Sequence, residues 1–320
     1  MKIETICVLG GTGFVGSHLV PRLYDLGYQV RVLTRNRERH RELSVLPRVE
    51  LIQVADFGSE TLAAQFAGCQ VVINLIGILN GSADEFHRVH AELPRRVVEA
   101  CASAGVGRCL HMSALNADAV HGPSLYLKSK GEGELGALAE GAARGVAVTA
   151  FRPSIMFGPD DHFFNRFAGL LKFAPVLPLA CPNTRFAPVY VGDVVEAFVA
   201  ALDDPASHGQ SYELCGPRSY TFRELVEYTA VETGRCRYKI VGLPDALARL
   251  QAVIMEKLPG QPFSLDNYRS LQVDNVCHGG PGLAQLGITP HSVEAIMGPH
   301  LRGLAGRRHY DRYRQVARRD

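Results

Sequence analysis

The stretch ICVLGGTGFVGSHLVPRLYDL, Ile6–Leu26, decides the fold of this chain. A short apolar strand passes through a glycine-rich turn, Gly10–Gly16, into an amphipathic helix that begins at Phe14. Glycines at 11, 13 and 16 have the spacing of a dinucleotide-binding turn, and those at 10, 13 and 16 have a related spacing. Such a turn brings backbone N–H groups to a pyrophosphate at a helix N-terminus. The stretch predicts a nucleotide-binding unit; the alternative is a glycine-rich turn without a ligand.

The rest of the N-terminal half repeats this alternation of short apolar strands and helices. The predicted strands are Ile3–Leu9, Gln29–Thr34, Val49–Val54, Val71–Leu75, Arg108–Met112 and Val146–Phe151. Because these runs are apolar along their length, helices are expected to cover both faces of the sheet. The predicted fold class is α/β, a Rossmann-type doubly wound parallel sheet.

A change of texture after Arg152 predicts a second region. Prolines divide residues 153–188 into short pieces, which is typical of a less regular, substrate-facing part. We predict an NAD(P)-binding domain over residues 1–153, with 186–215 returning to it. Residues 154–185 and 216–320 are predicted to form a smaller, interwoven C-terminal substrate or cap region.

Composition excludes several functional classes. The 34 basic and 32 acidic side chains leave a net charge of +2, too close to balance for a chain that coats nucleic acid. The longest strongly apolar run, Val71–Leu79, is less than half of the roughly 20 residues of a membrane-spanning helix. The N-terminus lacks the pattern of a signal peptide. We therefore expect no nucleic-acid partner and a cytoplasmic protein.

The cysteines and histidines give no metal motif. The eight cysteines include no Cys-x-x-Cys pair, and they are expected to be reduced and mostly buried thiols. His87 and His90 lie three residues apart, but no HExxH or similar pattern supplies further ligands. We expect no metal site.

The end of the second strand favours NADP(H) over NAD(H). A carboxylate that would bind the free ribose hydroxyl of NAD is missing between Leu26 and Arg37, and the strand ends in VLTRNR. Arg35 and Arg37 lie where a 2'-phosphate is expected. The alternative is that these arginines only solvate the start of a helix. Asp56, after the third strand, is a candidate for the adenine amino group.

The predicted cofactor contacts follow the first, second, third, fourth and sixth strands, with two more on the helix that contains YLKSK. The candidate cofactor-binding residues are Gly10, Gly11, Thr12, Gly13, Phe14, Val15, Gly16, Arg35, Arg37, Asp56, Phe57, Asn74, Leu75, Ile76, Gly77, Tyr126, Lys130, Pro153, Ser154 and Ile155.

A tyrosine and a lysine form the candidate catalytic pair. YLKSK places Tyr126 and Lys130 four residues apart, on one face of a helix. A tyrosine pKa near 10 must fall for acid–base work near neutrality, and an ammonium at about 4 Å is sufficient to lower it. Ser113, at the carboxyl end of the fifth strand, is placed to hold a substrate oxygen. The alternative is that Ser113 is a helix cap or turn residue.

Taken together, these motifs resemble the extended and atypical branches of the short-chain dehydrogenase/reductase superfamily. HMSALNA, SLYLKSKGEGE, FGPDDHFFNRF, PVYVGDVVEAF, CGPRSYTFREL and PGLAQLGITP are similar to the nucleotide-binding accessory subunits of respiratory complex I and their bacterial relatives. The resemblance covers nearly the whole chain. It implies that Ser113 polarises a carbonyl, that Tyr126 is the general acid/base, and that Lys130 holds the nicotinamide ribose and lowers the tyrosine pKa.

The sequence departs from the family at one position. Many members have an asparagine in the helix after the fourth strand, which completes a proton relay. The stretch Asp84–Ala104 contains no asparagine, and His90 lies near the expected place. The resemblance also implies a second interpretation, since the mitochondrial accessory subunit is a structural, cofactor-bound part of a larger machine.

Three functions follow as expectations. The first is an NAD(P)H-binding oxidoreductase that acts on a hydrophobic or quinone-like carbonyl. The second is a non-catalytic NADPH-binding accessory or assembly protein of respiratory complex I, and the third is a sugar-nucleotide epimerase or dehydratase. The amphipathic helix Leu243–Leu258 would suit a hydrophobic substrate if it forms a lid, whereas most such apolar stripes belong to a core.

The C-terminal residues Leu301–Asp320 are strongly basic. Seven arginines and two aspartates give this stretch a charge of +5. A solvated chain end is one interpretation. The other is docking to an anionic membrane surface or to an acidic partner such as a respiratory complex.

Overall fold

The computed structural model describes residues 2–173, 176–235 and 238–303. The chain divides into two compact units. The first unit comprises Met1–Ser154, Val191–Cys215 and Cys277–Thr289, and the second comprises Ile155–Tyr190, Gly216–Val276 and Pro290–Asp320. This division differs from the predicted one at two places, because the return to the first unit begins at residue 191 rather than 186 and a third segment joins it.

The secondary structure elements are numbered in chain order. The strands are β1 (Thr5–Leu9), β2 (Gln29–Thr34), β3 (Val49–Gln53), β4 (Val71–Asn74), β5 (Arg108–Met112), β6 (Ala147–Pro153), β7 (Met156–Phe157), β8 (Val176–Leu179), β9 (Arg185–Phe186), β10 (Val189–Tyr190), β11 (Ser211–Leu214), β12 (Tyr220–Thr221) and β13 (Lys239–Gly242). The α-helices are α1 (Phe14–Asp25), α2 (Ser59–Phe66), α3 (Ala83–Phe86), α4 (Leu93–Ala104), α5 (Leu125–Arg144), α6 (Phe164–Phe173), α7 (Val191–Ala200), α8 (Phe222–Glu232), α9 (Asp245–Glu256) and α10 (Leu265–Ser270). A π-helical turn, His87–Glu92, joins α3 to α4.

A seven-stranded parallel sheet forms the centre of the first unit. Its strand order is β11-β6-β5-β4-β1-β2-β3, and every neighbouring pair is parallel. All residues of β4 and β5 are buried, as expected of strands covered on both faces. The predicted α/β doubly wound fold is confirmed. Strand β1 pairs with both β2 and β4, so the order reverses there, and ligands of such sheets bind at the carboxyl ends beside that point.

Glycines in α5 allow this helix to approach its neighbours closely. A Cβ added at Gly133 would lie 1.7 Å from the carbonyl oxygen of His90, in the π-helical turn. One added at Gly131 would lie 2.4 Å from the backbone nitrogen of Ala119. Because no side chain fits at either position, backbone contact fixes the distance between α5 and the turn that carries His90. The helix that carries Tyr126 and Lys130 is thereby locked to the rest of the first unit.

The second unit contains three two-stranded sheets and an aromatic core. Strands β7 and β10 are parallel, β8 and β13 are parallel, and β9 and β12 are antiparallel. The core includes Phe157, Phe164, Phe186 and Phe222, which contact one another or neighbouring rings in edge or tilted arrangements.

Helix α9 turns small residues inward and large apolar residues outward. Its buried residues are Ala248 and Ala252. The side chains of Leu247, Leu250 and Ile254 are 50%, 53% and 55% exposed. The interpretation of this stripe as core is therefore wrong, because the alanines, and not the large apolar side chains, belong to a buried cluster of the second unit. Leu247, Leu250 and Ile254 thus form an exposed apolar stripe in the predicted substrate region.

The structure corrects the expectation that the cysteines are all reduced. Cys215 and Cys277 form a disulfide across a Cα–Cα distance of 6.1 Å. The two residues are 62 positions apart, so no short spacing motif could have shown the pair. Free thiols are present at Cys7, Cys69, Cys101, Cys109 and Cys181. Cys236 lies outside the described residues.

Two further expectations concern membranes and metals. Among the described residues, no helix has both the length and the apolar character needed to cross a bilayer. In the same part of the chain, no three histidine, cysteine or acidic side chains are grouped closely enough to hold a metal ion. The basic stretch from residue 304 onward lies outside the described residues, so the docking role predicted for it stays a prediction.

Candidate functional site

The glycine turn between β1 and α1 is closed by its own backbone. Gly10 has a φ of +75°, which favours glycine, and its carbonyl oxygen accepts a hydrogen bond from the Gly13 N–H at 3.0 Å. A Cβ at Gly16 would lie 2.4 Å from the Gly11 Cα, and one at Gly11 would lie 2.8 Å from Val32 Cγ1. The turn therefore requires glycine at several positions for packing reasons alone.

This turn fits the pyrophosphate of a dinucleotide. Helix α1 begins after Gly13 with no side-chain cap. The first-turn N–H groups of an uncapped helix lack intrahelical acceptors, and they favour an anion. The predicted residues Thr12, Phe14 and Val15 lie in this turn and helix start, at the strand-order reversal where ligands of open α/β sheets bind.

The predicted ribose and adenine contacts lie beyond β2 and β3. Arg35 and Arg37 are exposed immediately after β2, and the Arg37 N–H donates to Gln53 Oε1 at 3.3 Å. Asp56 is exposed as well, but its Oδ1 accepts the N–H of Gly58 at 2.7 Å, directly before α2. Asp56 thus forms a turn, and Phe57 beside it packs against the core of the first unit.

The last residue of β4 is a buried asparagine, Asn74. The Asn74 Oδ1 accepts the N–H of Ile76 at 3.1 Å. Its Nδ2 donates to His111 Nδ1 at 3.3 Å. Asn74 therefore shapes the loop that contains Leu75 and Ile76. In the same loop, Gly77 lies beside Lys130, because a Cβ there would be 3.2 Å from the lysine Nζ.

Ser113 follows β5 with a buried hydroxyl that has no hydrogen-bond partner among the described residues. Its backbone N–H donates to the Phe151 carbonyl at 2.7 Å, while its Oγ is enclosed and unpaired. Leaving such a group unsatisfied costs about 1–3 kcal/mol. It is neither a helix cap nor a turn hydroxyl, so the alternative considered for it is wrong. The hydroxyl remains available to a ligand.

Pro153, Ser154 and Ile155 lie at the end of β6. Pro153 accepts the Leu115 N–H at 3.0 Å, and Ser154 is buried. The chain passes into the second unit at Ile155, whose N–H donates to Asn275 Oδ1 at 3.0 Å. Backbone groups of Pro153 and Ile155 are thus engaged in hydrogen bonds within the protein.

Tyr126 lies in the first turn of α5, where Ser124 caps the helix by accepting the Leu127 N–H. Its ring packs edge-on against Phe86 and His90, with centroid distances of 6.2 and 5.4 Å. Burial raises the pKa of the Tyr126 phenol to about 12. The direction of this shift is opposite to the lowering expected from Lys130, because desolvation disfavours the phenolate.

Lys130 is buried one turn further along α5. Its Nζ donates to the Met112 carbonyl at 3.0 Å, at the end of β5. Burial lowers the pKa of Lys130 to about 8, although the carboxylate of Glu134 opposes this shift. Glu134 is itself 1% exposed and pairs with Arg152 at 2.7 Å. The structure thus brings Lys130 to the end of β5, next to Ser113, as well as onto the same helix as Tyr126.

Two buried histidines surround this lysine. Burial, followed by the charge of Lys130, lowers the pKa of His90 to about 2 and that of His111 to about 3. Both rings are therefore neutral at pH 7. His111 accepts from Asn74, so its proton lies on Nε2, which is buried without a partner among the described residues.

Sequence reasoning identified His90 as the residue in the relay position but missed His111. A histidine inside RCLHM, an otherwise largely apolar strand, was the available signal. The structure brings Ser113, Tyr126 and Lys130 together with these histidines in the first unit. This group can hold a carbonyl oxygen at a hydroxyl and supply a proton from a phenol, beside a buried ammonium.

Comparison with known proteins gives the relatives of this chain. The family model described as the NAD dependent epimerase/dehydratase family matches residues 6–215. NADH dehydrogenase (ubiquinone) 1 alpha subcomplex subunit 9, mitochondrial, of Arabidopsis thaliana is 34% identical over 310 residues, covering 90% of this chain and 74% of that protein. Ceramide reductase of Caulobacter vibrioides is 30% identical over 249 residues, covering 75% of this chain and 74% of that protein.

Solved structures agree on the fold. A dTDP-glucose 4,6-dehydratase from Streptomyces venezuelae, determined with NAD bound, superposes with a TM-score of 0.74 at 21% identity. The match covers 96% of this chain and 98% of the dehydratase. The family match and the glycine turn together make a nicotinamide dinucleotide the cofactor of this protein.

Proposed function

This chain belongs to the NAD dependent epimerase/dehydratase family, and we propose that it is an NADP(H)-dependent oxidoreductase that reduces a hydrophobic carbonyl compound. The observation that carries the proposal is the buried hydroxyl of Ser113, which has no hydrogen-bond partner in the part of the chain that the structure describes. A buried donor is retained without a partner only at a cost, and a carbonyl oxygen would satisfy it. The hydroxyl lies at the carboxyl end of β5, the edge where ligands of such sheets bind.

The residues that would hold the cofactor are the glycine turn and the arginines after β2. The turn would bind the pyrophosphate, and Arg35 with Arg37 would pair with a 2'-phosphate, which favours NADP(H) over NAD(H). The bound cofactor supplies or accepts a hydride. The loop Asn74–Gly77 and Lys130 would border the nicotinamide ribose, since Gly77 and the Lys130 Nζ lie side by side.

The protonation states favour reduction over oxidation. With a pKa of about 12, Tyr126 carries its proton throughout the physiological range. A protonated phenol can donate to the oxygen of a carbonyl as that oxygen becomes an alkoxide, whereas alcohol oxidation needs the phenolate as a base. Ser113 would donate a hydrogen bond to the same oxygen. The Lys130 ammonium would stabilise the phenolate that remains, until solvent returns the proton.

A hydrophobic substrate is supported by the second unit. The outward stripe Leu247, Leu250 and Ile254 of α9 lies in the region predicted to bind substrate. The alanines of α9 are buried, so its large apolar side chains are exposed, and an apolar ligand could cover the surface that they form. A relative at 30% identity is named a ceramide reductase, and ceramide is a hydrophobic lipid.

The second candidate is a non-catalytic, NADPH-binding accessory protein of a respiratory complex. The similarity to a mitochondrial NADH dehydrogenase subunit over 90% of the chain favours it. Contact with a membrane or an acidic partner through the basic C-terminal stretch would belong to this function.

The two candidates are separated by nucleotide release and turnover. We would identify any nucleotide that the purified protein releases, and follow oxidation of bound NADPH when ketones, aldehydes and quinones are offered. Turnover that collapses in Tyr126→Phe and Ser113→Ala supports the reductase. The matched control is Tyr28→Phe, which lies before β2, at the opposite end of the sheet. NADPH that stays bound and unreacted in all four proteins supports the accessory protein and overturns the reductase.

A further inference from the structure

His90 lies at the centre of a hydrogen-bond chain with a fixed direction. The N–H of Ile78 donates to His90 Nε2 at 3.0 Å. Since Nε2 is an acceptor in a neutral ring, the ring proton is on Nδ1, which donates to Ser129 Oγ at 3.0 Å. The Ser129 hydroxyl then donates to the Tyr126 carbonyl at 2.9 Å. The chain runs from the loop after β4 to the first turn of α5.

The His90 ring also packs directly against the tyrosine. It stacks on Phe86 at 5.5 Å and meets the Tyr126 ring edge-on at 5.4 Å. Its backbone carbonyl lies where a Cβ of Gly133 would be, so α5 cannot move closer. The histidine therefore contacts the Tyr126 ring directly, is linked to the Tyr126 carbonyl through Ser129, and packs against the backbone of α5 at Gly133.

Burial and a neighbouring positive charge oppose protonation of His90. The ring is buried, and the nearby Lys130 ammonium repels a second positive charge. His111 on β5 is neutral, and Phe86 and Tyr126 present aromatic rings, so none of these three neighbours supplies a carboxylate that would compensate a positive charge on His90. Nε2 would also lose the Ile78 donor if it gained a proton. Both ring nitrogens are thus committed to fixed partners.

We propose that His90 is a positioning residue that stays neutral, joins the Gly77–Ile78 loop to the tyrosine-bearing turn of α5, and takes no part in proton transfer. The inference rests on the proposed function, because Tyr126 and the loop matter only at a working site. It replaces the relay expected at this position with a rigid support. The proton of Tyr126 must then return directly from solvent or through Lys130.

The ring protonation can be measured without turnover. We would record the imidazole ¹⁵N resonances of the full-length protein and assign His90 by comparison with His90→Gln. The expected result is a neutral ring protonated on Nδ1 that does not titrate between about pH 5.5 and 8.5. A ring that titrates in this range, or that carries its proton on Nε2, would overturn the proposal.

Variants test the positioning role. His90→Phe keeps an aromatic ring but removes both hydrogen bonds, whereas His90→Gln keeps a donor and an acceptor. With NADPH and a reducible carbonyl, we expect His90→Phe to lower kcat/KM about 10- to 100-fold without shifting either limb of the pH profile. His90→Gln should recover part of that loss, and Ser129→Ala should show a smaller loss of the same kind.

The matched control is His87→Gln, in the same π-helical turn. His87 is 60% exposed and faces Glu92 and Glu132, so its replacement should leave the kinetics unchanged. Loss of a limb of the pH profile in His90→Phe would mean a proton relay, and unchanged kcat/KM would mean a purely structural residue; either result overturns the proposal. If the wild type does not turn over, the proposed function fails. The ¹⁵N spectrum and a several-fold weaker NADPH affinity in His90→Phe would still support the assignment.

Discussion

The glycine turn and the surroundings of Tyr126, the two ends of the candidate site, are built by different means. The turn consists of seven consecutive residues, Gly10–Gly16, closed by backbone contacts that leave no room for side chains. The tyrosine end is assembled from β4, the π-helical turn, β5 and α5. Its contacts join residues far apart in the sequence, such as Asn74 to His111 and His90 to Ser129.

The difference lies in what each end can tolerate. At the glycine end, steric fit limits which residues are tolerated, because a Cβ added at Gly16 would collide with backbone atoms of Gly11. At the tyrosine end, burial decides, since desolvation is the largest cause of the pKa shifts of Tyr126, Lys130, His90 and His111. Substitutions at the first end should therefore weaken nucleotide binding, whereas those at the second should change rates, stability and pH dependence.

The largest effect is expected at Gly16. Gly16→Val adds a side chain whose Cβ would lie 2.4 Å from backbone atoms of Gly11, so the turn must open. We expect NADPH affinity to fall by about 5- to 150-fold, which corresponds to an overpacking cost of about 1–3 kcal/mol. Isothermal titration calorimetry measures this. Gly107→Ala, where nothing lies within 4 Å, should bind normally. Normal binding by Gly16→Val would remove the turn from the site.

A second effect is expected at Gly133, where the backbone of α5 contacts the π-helical turn that carries His90. Gly133→Ala places a Cβ 1.7 Å from the His90 carbonyl oxygen. It should lower the free energy of unfolding by about 3 kcal/mol in urea titrations. Gly169→Ala, in α6 with open space around it, should instead raise stability by about 0.5–1 kcal/mol. Equal effects of the two substitutions would contradict the close approach of α5.

The pH dependence of stability should report the burial of Lys130. Its pKa falls from 10.5 to about 8 on folding. Below pH 8 both states carry the proton, and the buried charge costs about 3 kcal/mol. Between pH 8 and 10.5 the unfolded chain holds more protons, so this cost disappears as pH rises. Lys130→Met should therefore be more stable than the wild type at pH 7, with the difference narrowing by pH 10. A difference independent of pH would show that Lys130 is not desolvated.

The smallest effect is expected at the edge of the glycine end. Arg35→Gln should weaken NADPH binding about 10-fold, the value of one charge-assisted hydrogen bond of about 1.5 kcal/mol, and leave NADH binding unchanged. Arg39→Gln, an exposed arginine of the same segment, should change neither affinity. Fluorescence titration with both nucleotides gives the comparison. An equal loss for NADH would mean that Arg35 does not read the 2'-phosphate.

The sequence predicted well where the cause of a structure is local. Strand β2 and strand β5 have the predicted bounds, and the glycine turn lies between its predicted strand and helix. The period of the hydrophobic pattern and the positions of glycines can both be read from a few consecutive residues. The parallel sheet followed because its buried strands are apolar throughout.

What could not be predicted depends on distant partners. The Cys215–Cys277 bridge, the Asn74–His111 contact and the Ser129 link join residues between 37 and 62 positions apart. The sign of the Tyr126 shift depends on how completely the fold excludes water, which helical spacing to Lys130 does not reveal. The outward stripe of α9 was misjudged because its periodicity is the same whichever face is buried.

Hydride transfer tests the central claim most directly. The protein would be loaded with NADPH deuterated at the transferring position and mixed with a long-chain ketone, and the product would be examined by mass spectrometry. We predict one deuterium on the new carbinol carbon, formed by the wild type and nearly absent with Tyr126→Phe. Bound NADPH that keeps its label while the ketone is recovered unchanged, across aliphatic, aromatic and quinone carbonyls, would contradict the assignment as a carbonyl reductase.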